Sequence, residues 1–268
     1  MPALADLLSR LWEDYIRINP QARLIHRLLA EGRGETVVND HIAFRTFEDK
    51  RVNIDVIAGP FLQGGYQPRD AYEFADKKLR ARHYEHPDPA MPKVFISELK
   101  TAEFSPALQA AVKNLVDQIP PGKPDAWDFC ASGVPWKPVP YSVYQSLLAE
   151  SEYAGWMSAF GYRANHFTIF VNYLKSFPTL QSLNDYLRAE GFALNTSGGE
   201  IKGSPADFLE QSSTLAPPFR VRFADGDHEI PGCYYEFARR YPLPTGQLFH
   251  GFVAKSADKI FESTNVRR

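Results

Sequence analysis

The chain has 268 residues and only two cysteines, Cys130 and Cys233, far apart in sequence. That scarcity excludes a disulfide framework and a cysteine-based metal site. Long apolar runs are missing as well. None approaches the roughly 18 residues of a membrane span, so no membrane association is expected. Charge of one sign does not dominate either: the net charge is −2, which gives no global basic field to suggest nucleic acid. The N-terminal Met-Pro-Ala-Leu-Ala-Asp-Leu-Leu carries an acid and no basic region, so no secretory signal is expected, and the cytoplasm is the expected location. There is no Gly-x-Ser-x-Gly elbow, and neither cysteine has a histidine beside it in sequence. Gly64-Gly65 and Gly198-Gly199 lack the strand-loop-helix setting of a phosphate loop. Nucleophilic and phosphate-loop chemistry are poorly supported.

What is present is proline and aromatic side chains, 21 Pro and 13% Phe, Trp and Tyr, which predict many short elements, β-rich packing and stiff loops. Helical spacing of Leu7, Leu8, Leu11, Leu24, Ile25, Leu28 and Leu29 predicts helix over residues 3–31, broken at Asn19-Pro20. His26 beside that stripe reads as a packed or capping residue. A helix is expected over residues 53–65, then a basic stretch at 76–84 read as a solvated strand or hairpin edge. His83 and His86 lie in this irregular region as minor ligand candidates. A strand follows at 93–99, and a helix from Ser105 or Pro106 to Val116. The proline-rich segment 119–141 is a connector or a flap. A helix is expected at 142–150 and another at 179–190. Ser204-Pro205-Ala206-Asp207 reads as a helix start. Strands at 219–223 and 232–238 are expected to pair around residues 224–227, with a last strand at 247–254.

The chemistry concentrates in Asn39-Asp40-His41-Ile42-Ala43-Phe44-Arg45-Thr46-Phe47. As a strand it places His41, Ala43, Arg45 and Phe47 on one face. Asn165-His166-Phe167-Thr168-Ile169-Phe170 echoes it. From His41 to Gly65 is 24 residues and from His166 to Gly191 is 25, so the order histidine strand, helix, glycine-aromatic occurs twice. The chain reads as one catalytic domain of two related halves, about 35–118 and 160–255, with an N-terminal helical segment 1–31 and a connector 119–141. Histidines from the first strand of each half, with one carboxylate, would form a facial triad. Such a triad leaves positions open for a chelating substrate and O2 and suits non-heme Fe(II). Glu98 and Glu236 both qualify as the carboxylate, and the residues alone do not choose between them.

The segments 39–47, Val-Phe-Ile-Ser-Glu-Leu (94–99), Asn-His-Phe-Thr (165–168), Leu-Glu-Gln-Ser-Ser-Thr (209–214) and Ile-Pro-Gly-Cys-Tyr-Tyr-Glu-Phe-Ala-Arg-Arg (230–240) together resemble the 2-oxoadipate dioxygenase/decarboxylase family, also called D-2-hydroxyglutarate synthases. The resemblance implies an α+β fold of two vicinal-oxygen-chelate-like βαβββ modules, forming a curved sheet or half-barrel around a metal with peripheral helices. It implies Fe(II) held by His41, His166 and Glu236, and Arg45 gripping a substrate carboxylate. Glu98 is left as a structural residue or a neighbour of the site. The implied reaction takes a 2-oxo dicarboxylic acid, 2-oxoadipate, and O2 to CO2 and a 2-hydroxy acid one carbon shorter, D-2-hydroxyglutarate. No separate 2-oxoglutarate co-substrate is needed. Bacterial members are longer, and the residues of their C-terminal parts have no match here, so the exact 2-oxo acid stays open, as does oligomeric state. Four residues of strand span about 13 Å, which suits a dicarboxylate stretched from the metal near His41 to Arg45; the alternative is a structural ion pair with an acid such as Asp55. Two other readings stand beside the oxygenase. The scaffold could hold Zn(II), Ni(II) or Mn(II) for isomerase, lyase or hydrolase chemistry, or it could be a non-catalytic small-molecule binder.

Overall fold

In the computed structural model, residues 4–253 are described. The helices are α1 (Leu4–Ile18), α2 (Pro20–Arg33), α3 (Ile54–Gln63), α4 (Pro106–Asp117), α5 (Tyr141–Glu150), α6 (Glu152–Phe160) and α7 (Leu180–Ala189). The strands of the first half are β1 (Asn39–Phe47), β2 (Gln67–Phe74), β3 (Leu79–Glu85) and β4 (Lys93–Leu99). Those of the second are β5 (Ala164–Phe170), β6 (Lys202–Ser204), β7 (Leu209–Ser213), β8 (Pro218–Phe223), β9 (Gly226–Pro231) and β10 (Glu236–Arg240). The first helical break falls where proline demands it, with Pro20 opening α2.

Eight strands form one curled half-barrel sheet in the order β2-β3-β4-β1-β5-β10-β7-β6. Each half runs strand, helix, strands. In each, the first strand lies parallel to the last, β1 to β4 and β5 to β10, while the other pairings are antiparallel. The halves join where β1 and β5 pair antiparallel at the middle of the sheet. The expected α+β fold of two βαβββ modules is what the chain adopts.

The two modules share local chemistry that identity between them conceals. Helices α3 and α7 close alike, on Gly65 (φ 98) and Gly191 (φ 88). The next amide in each, Tyr66 or Phe192, donates to Phe61 O or Leu187 O at 3.0 Å, a glycine-closed helix end. Before the third strand of each module a single 3₁₀ turn ends on a left-handed non-glycine residue, Lys78 (φ 52) or Phe208 (φ 59). The carbonyls of these two accept from the residue just past the module's last strand, Lys100 N at 2.9 Å and Tyr241 N at 3.0 Å. Counting back from Lys100 and Tyr241 makes Phe95 the counterpart of Glu236, and Glu98 the counterpart of Arg239. Strand register agrees, because Phe95 lies beside Ala43 and Glu236 beside Thr168. His41 and His166 are therefore equivalent positions.

Several expectations are corrected. The basic stretch 76–84 is no edge: β3 lies between β2 and β4, with Leu79, Ala81 and His83 buried, and the unforeseen β2 forms the edge. Ser204 does cap, accepting from Asp207 N, but only a 3₁₀ turn follows, because left-handed Phe208 ends it and β7 begins. β8 pairs with β9, not with 232–238, and makes a separate two-stranded hairpin; the chain passes Gly232 and re-enters the main sheet at Glu236. Residues 247–253 form no strand, only a bridge between Pro242 and Leu248, and residue 254 lies outside the described residues. Helix α6 was not foreseen: Tyr153 through Phe160 are all buried, so no amphipathic stripe marks it. The proline-rich segment is anchored to the body, with Trp136 Nε1 donating to Ser158 O and Gly133 paired with Tyr162. Gly161 is required there, since a Cβ would lie 2.3 Å from Gly133 O.

Candidate metal centre

The parallel-antiparallel-parallel run β4-β1-β5-β10 brings the first strands of both modules and the last strand of the second together. His41 comes from β1, His166 from β5 and Glu236 from the first position of β10. His166 Nε2 lies 3.2 Å from Glu236 Oε2, and His41 Nε2 lies 3.6 Å from Glu236 Oε1. One potential ligand atom from each lies within 4.8 Å of the others, and all three residues are buried. Among the described residues no other group of three His, Cys, Asp or Glu could hold a metal ion in this way.

The ring nitrogens facing away from Glu236 are held by the residues that precede the histidines. His41 Nδ1 donates to Asp40 Oδ1 at 2.8 Å, and His166 Nδ1 donates to Asn165 Oδ1 at 3.0 Å. Each bond fixes the tautomer that leaves Nε2 as a lone pair toward the shared carboxylate, the usual way an imidazole ligand is oriented. Gln211 of β7 donates to Glu236 Oε1 at 2.6 Å, and Thr168 Oγ1 lies 3.1 Å from His41 Nε2.

Burial dominates the electrostatics. It lowers the pKa of His41 and, helped by His41 and Arg45, holds that of His166 well below its ordinary value. It pushes Glu236 up to about 8. The metal-free pocket thus holds two neutral imidazoles and a protonated carboxyl at neutral pH. A divalent cation would take the place of that one proton and would meet two neutral nitrogens and a carboxylate, a donor set suited to a first-row metal. Two buried polar atoms beside Glu236 also lack a hydrogen-bond partner, Gln211 Oε1 and Tyr234 Oη. The residues present fit a bound metal and ligand.

Arg45, two positions beyond Ala43 on the same strand face, is buried, and its Nη1 donates to Glu152 Oε1 at 3.1 Å. Its guanidinium sits 4.9 Å from the Tyr153 ring and 5.1 Å from that of Trp156. The acid that pairs with it is Glu152 of α6, not Asp55. Tyr234, stacked on His166 at 4.6 Å, feels both Glu236 and Arg45, and burial holds its hydroxyl protonated.

Glu98 has other work. Its Oε2 accepts from Ile54 N at 2.9 Å at the start of α3, and its Oε1 accepts from Arg80 Nε. His26 packs on Trp12, His83 bonds to Tyr72 Oη, and His86 accepts from Asp88 N; none joins the cluster. Sequence reasoning missed Gln211, Tyr234, Glu152 and Phe252, whose ring packs 4.8 Å from both His41 and Phe95. The Asx-His dipeptide, present in both halves as Asp40-His41 and Asn165-His166, was the one signal that could have revealed the orienting partners.

A sequence profile for 2-oxoadipate dioxygenase/decarboxylase matches residues 2–120 and 125–249. An Arabidopsis thaliana protein described as a chloroplastic 2-oxoadipate dioxygenase/decarboxylase is 36% identical over 97% of this chain and 76% of its own length. The crystal structure of hydroxyglutarate synthase from Oryza sativa in complex with 2-oxoadipate is 36% identical, with a TM-score of 0.92, over 97% of this chain and 91% of that one. A Shewanella frigidimarina structure described as a candidate hydrolase is 52% identical, with a TM-score of 0.90, over 95% and 99%. A candidate glyoxalase-superfamily protein from Ralstonia eutropha, at 21% identity, shares the fold with a TM-score of 0.75 over 92% and 84%.

Proposed function

The chain belongs to the 2-oxoadipate dioxygenase/decarboxylase family, and on that footing we propose that it converts 2-oxoadipate and O2 to 2-hydroxyglutarate and CO2. The D isomer is the expected product. The carbon and oxygen balance closes without another co-substrate: the C1 carboxylate leaves as CO2, C2 becomes the new carboxylate, and both atoms of O2 remain in the hydroxy acid. His41, His166 and Glu236 would hold Fe(II), which when bound supplies a chelating centre for the 2-oxo acid and the electrons that activate O2.

The chain's own residues perform the rest. Asp40 and Asn165 keep both imidazoles in the ligating tautomer, and Gln211 holds one oxygen of Glu236. Arg45 takes the far carboxylate of the dicarboxylate; a planar guanidinium suits that role because it can offer parallel N–H donors. Tyr234, kept protonated by burial, donates to substrate from its unpartnered hydroxyl. Exposure of 2%, 3% and 1% at His41, His166 and Glu236 keeps bulk water from the reacting centre. The whole chain works as one catalytic unit, with halves 35–118 and 160–255, the helical segment 1–31 and the connector 119–141. No helix among the described residues is long and apolar enough to cross a membrane. We expect a cytoplasmic enzyme, although the Arabidopsis relative is described as chloroplastic.

The observation that carries this reading is one buried carboxylate placed between equivalent histidines of two modules. Anaerobic Fe(II) reconstitution followed by an oxygen-electrode assay with 2-oxoadipate tests it. O2 uptake matched by CO2 release is expected. Turnover without O2, or turnover with Zn(II), Ni(II) or Mn(II) alone, would instead favour hydrolase, lyase or isomerase chemistry.

A further inference from the structure

The first module's histidine is tied to the C-terminal part of the described chain through one buried arginine. Arg240, the last residue of β10, donates from Nε to Asp40 Oδ2 at 2.6 Å and from Nη2 to Asp40 Oδ1 at 2.8 Å. Both side chains are essentially inaccessible, 1% and 0% exposed. Asp40 in turn accepts from His41 Nδ1. Burial alone would raise the Asp40 carboxyl, but Arg240 and Lys93 hold it well below the ordinary range.

Arg240 has further donors, and they do not go to the site. Nη1 donates to Phe249 O at 3.0 Å and to Gly251 O at 2.8 Å. The guanidinium lies 5.2 Å from the Phe252 ring, and Phe252 N donates to Tyr72 Oη at 3.1 Å. The Phe252 ring in turn packs against His41 and Phe95. One guanidinium therefore holds both the carboxylate that orients a candidate ligand and the segment that covers it. Among the described residues the second module has no such arrangement: Asn165 occupies the place of Asp40 and carries no charge for an arginine to meet.

We infer that Arg240 is a positioning residue that couples the seating of residues 249–252 to the orientation of His41. The inference rests on the reading that His41, His166 and Glu236 hold a metal. A metal held by His41 would strengthen the existing Nδ1–H bond to Asp40 and hold the ring in that orientation. Asp40 is then held in the one orientation that satisfies both Arg240 and His41, and Arg240 keeps its remaining donors aimed at the carbonyls of 249 and 251. Without the metal, the hydrogen bond to Asp40 is the ring's only tether on that side, and the chain from His41 through Asp40 to Arg240 is held less tightly. The binding effect is reciprocal: what seats the segment also favours the metal.

Hydrogen-deuterium exchange of the full chain, with and without Zn(II), reads this coupling at the amides of Phe249 and Phe252, which donate to Tyr241 O and Tyr72 Oη. Zn(II) should slow exchange there by about 5- to 150-fold, the usual range of a coupling between two sites. In the double variant Asp40→Asn/Arg240→Met, which removes both buried charges together, that slowing should vanish. Zn(II) affinity in a chelator competition should fall about 10- to 100-fold. If wild-type protein binds Zn(II) while exchange at both amides is unchanged, the inference is overturned, whether or not the variant folds. Metal-dependent slowing that persists in the double variant overturns it too. Failure of the wild-type protein to bind any divalent metal would instead remove the site on which the inference stands.

Discussion

The two modules repeat each other closely in backbone and diverge at three positions that carry chemistry. Both present a histidine at the same place on the first strand, both orient it with the preceding side chain, and both close the following helix on glycine and an aromatic residue. At the position two places beyond the histidine's strand neighbour they part: the first module has Phe95 where the second has Glu236. The orienting residue is charged in the first, Asp40 with Arg240, and neutral in the second, Asn165. Arg45 of the first module stands where the second has Phe170. A symmetric pair of modules would place two carboxylates and two histidines at the centre. Replacing one carboxylate by an aromatic ring leaves Glu236 as the single carboxylate of the candidate cluster, while the arginine appears only on the module that lacks the carboxylate. The repeat supplies the geometry, and its asymmetry supplies the function.

The sharpest way to break this comparison is to exchange the roles of the two glutamates. Glu236→Ala should abolish metal binding and turnover, measured by metal content after gel filtration and by oxygen consumption, without lowering the melting temperature of metal-free protein near pH 8. Glu98→Ala should do the opposite. It strands Ile54 N and Arg80, so it should cost about 1–3 kcal/mol of stability in denaturant melts while leaving metal stoichiometry intact. Reversed outcomes would mean that the modules contribute the carboxylate the other way round.

Next in size is Arg45→Ala. If Arg45 serves the far carboxylate of the substrate, KM for 2-oxoadipate should rise about 100-fold, as expected when one partner of a buried charge pair is removed. A monocarboxylic 2-oxo acid should be affected far less, and equal effects on both would return Arg45 to a structural role.

Acid-base behaviour distinguishes the carboxylate from the histidines in the metal-free protein. Glu236 is raised to about 8 from 4.5, so between those values the folded state binds more protons than the unfolded one and stability falls as pH rises. His41 and His166 are lowered from 6.5 and act in the opposite sense, losing stability as pH falls below that value. The window from about 6.5 to about 8 therefore belongs to Glu236. Differential scanning calorimetry should show the melting temperature of metal-free protein declining across it, and Zn(II)-loaded protein escaping that decline.

The smallest expected effect is at Glu152, which neutralises Arg45 at 3.1 Å. Glu152→Gln keeps a hydrogen-bond acceptor and releases the charge for substrate, so KM for 2-oxoadipate should fall a few-fold in steady-state assays with kcat little changed. An increase would show that Glu152 positions Arg45 rather than competes for it.

Legibility followed physical type. The strand carrying His41 and Arg45, the repeat spacing to His166 and the helices with one apolar stripe were readable, because alternation and helical periodicity are local properties. Helix α6 was not, since it is buried along its length and has no polar face to set a period. β3 was mistaken for an edge because its outward arginines suggested solvent, whereas Arg80 reaches Glu98 and Glu48. Of the candidate site, the two histidines were readable as partners, but from the residues alone the choice between Glu98 and Glu236 was not. Both sit on last strands of their modules, three residues apart in equivalent numbering, and only register shows that Glu98 belongs to the start of α3. Phe252 and Arg240 were invisible as site residues because long-range return of the chain brings them there.

The account stands or falls on whether both oxygen atoms of O2 enter one product. Protein loaded anaerobically with Fe(II), mixed with 2-oxoadipate under ¹⁸O2 and quenched for mass spectrometry, should yield 2-hydroxyglutarate carrying two labelled oxygens, one in the new carboxylate and one in the hydroxyl, with one CO2 released per O2 consumed. Iron-loaded protein that leaves 2-oxoadipate intact, or a product without label, would contradict it.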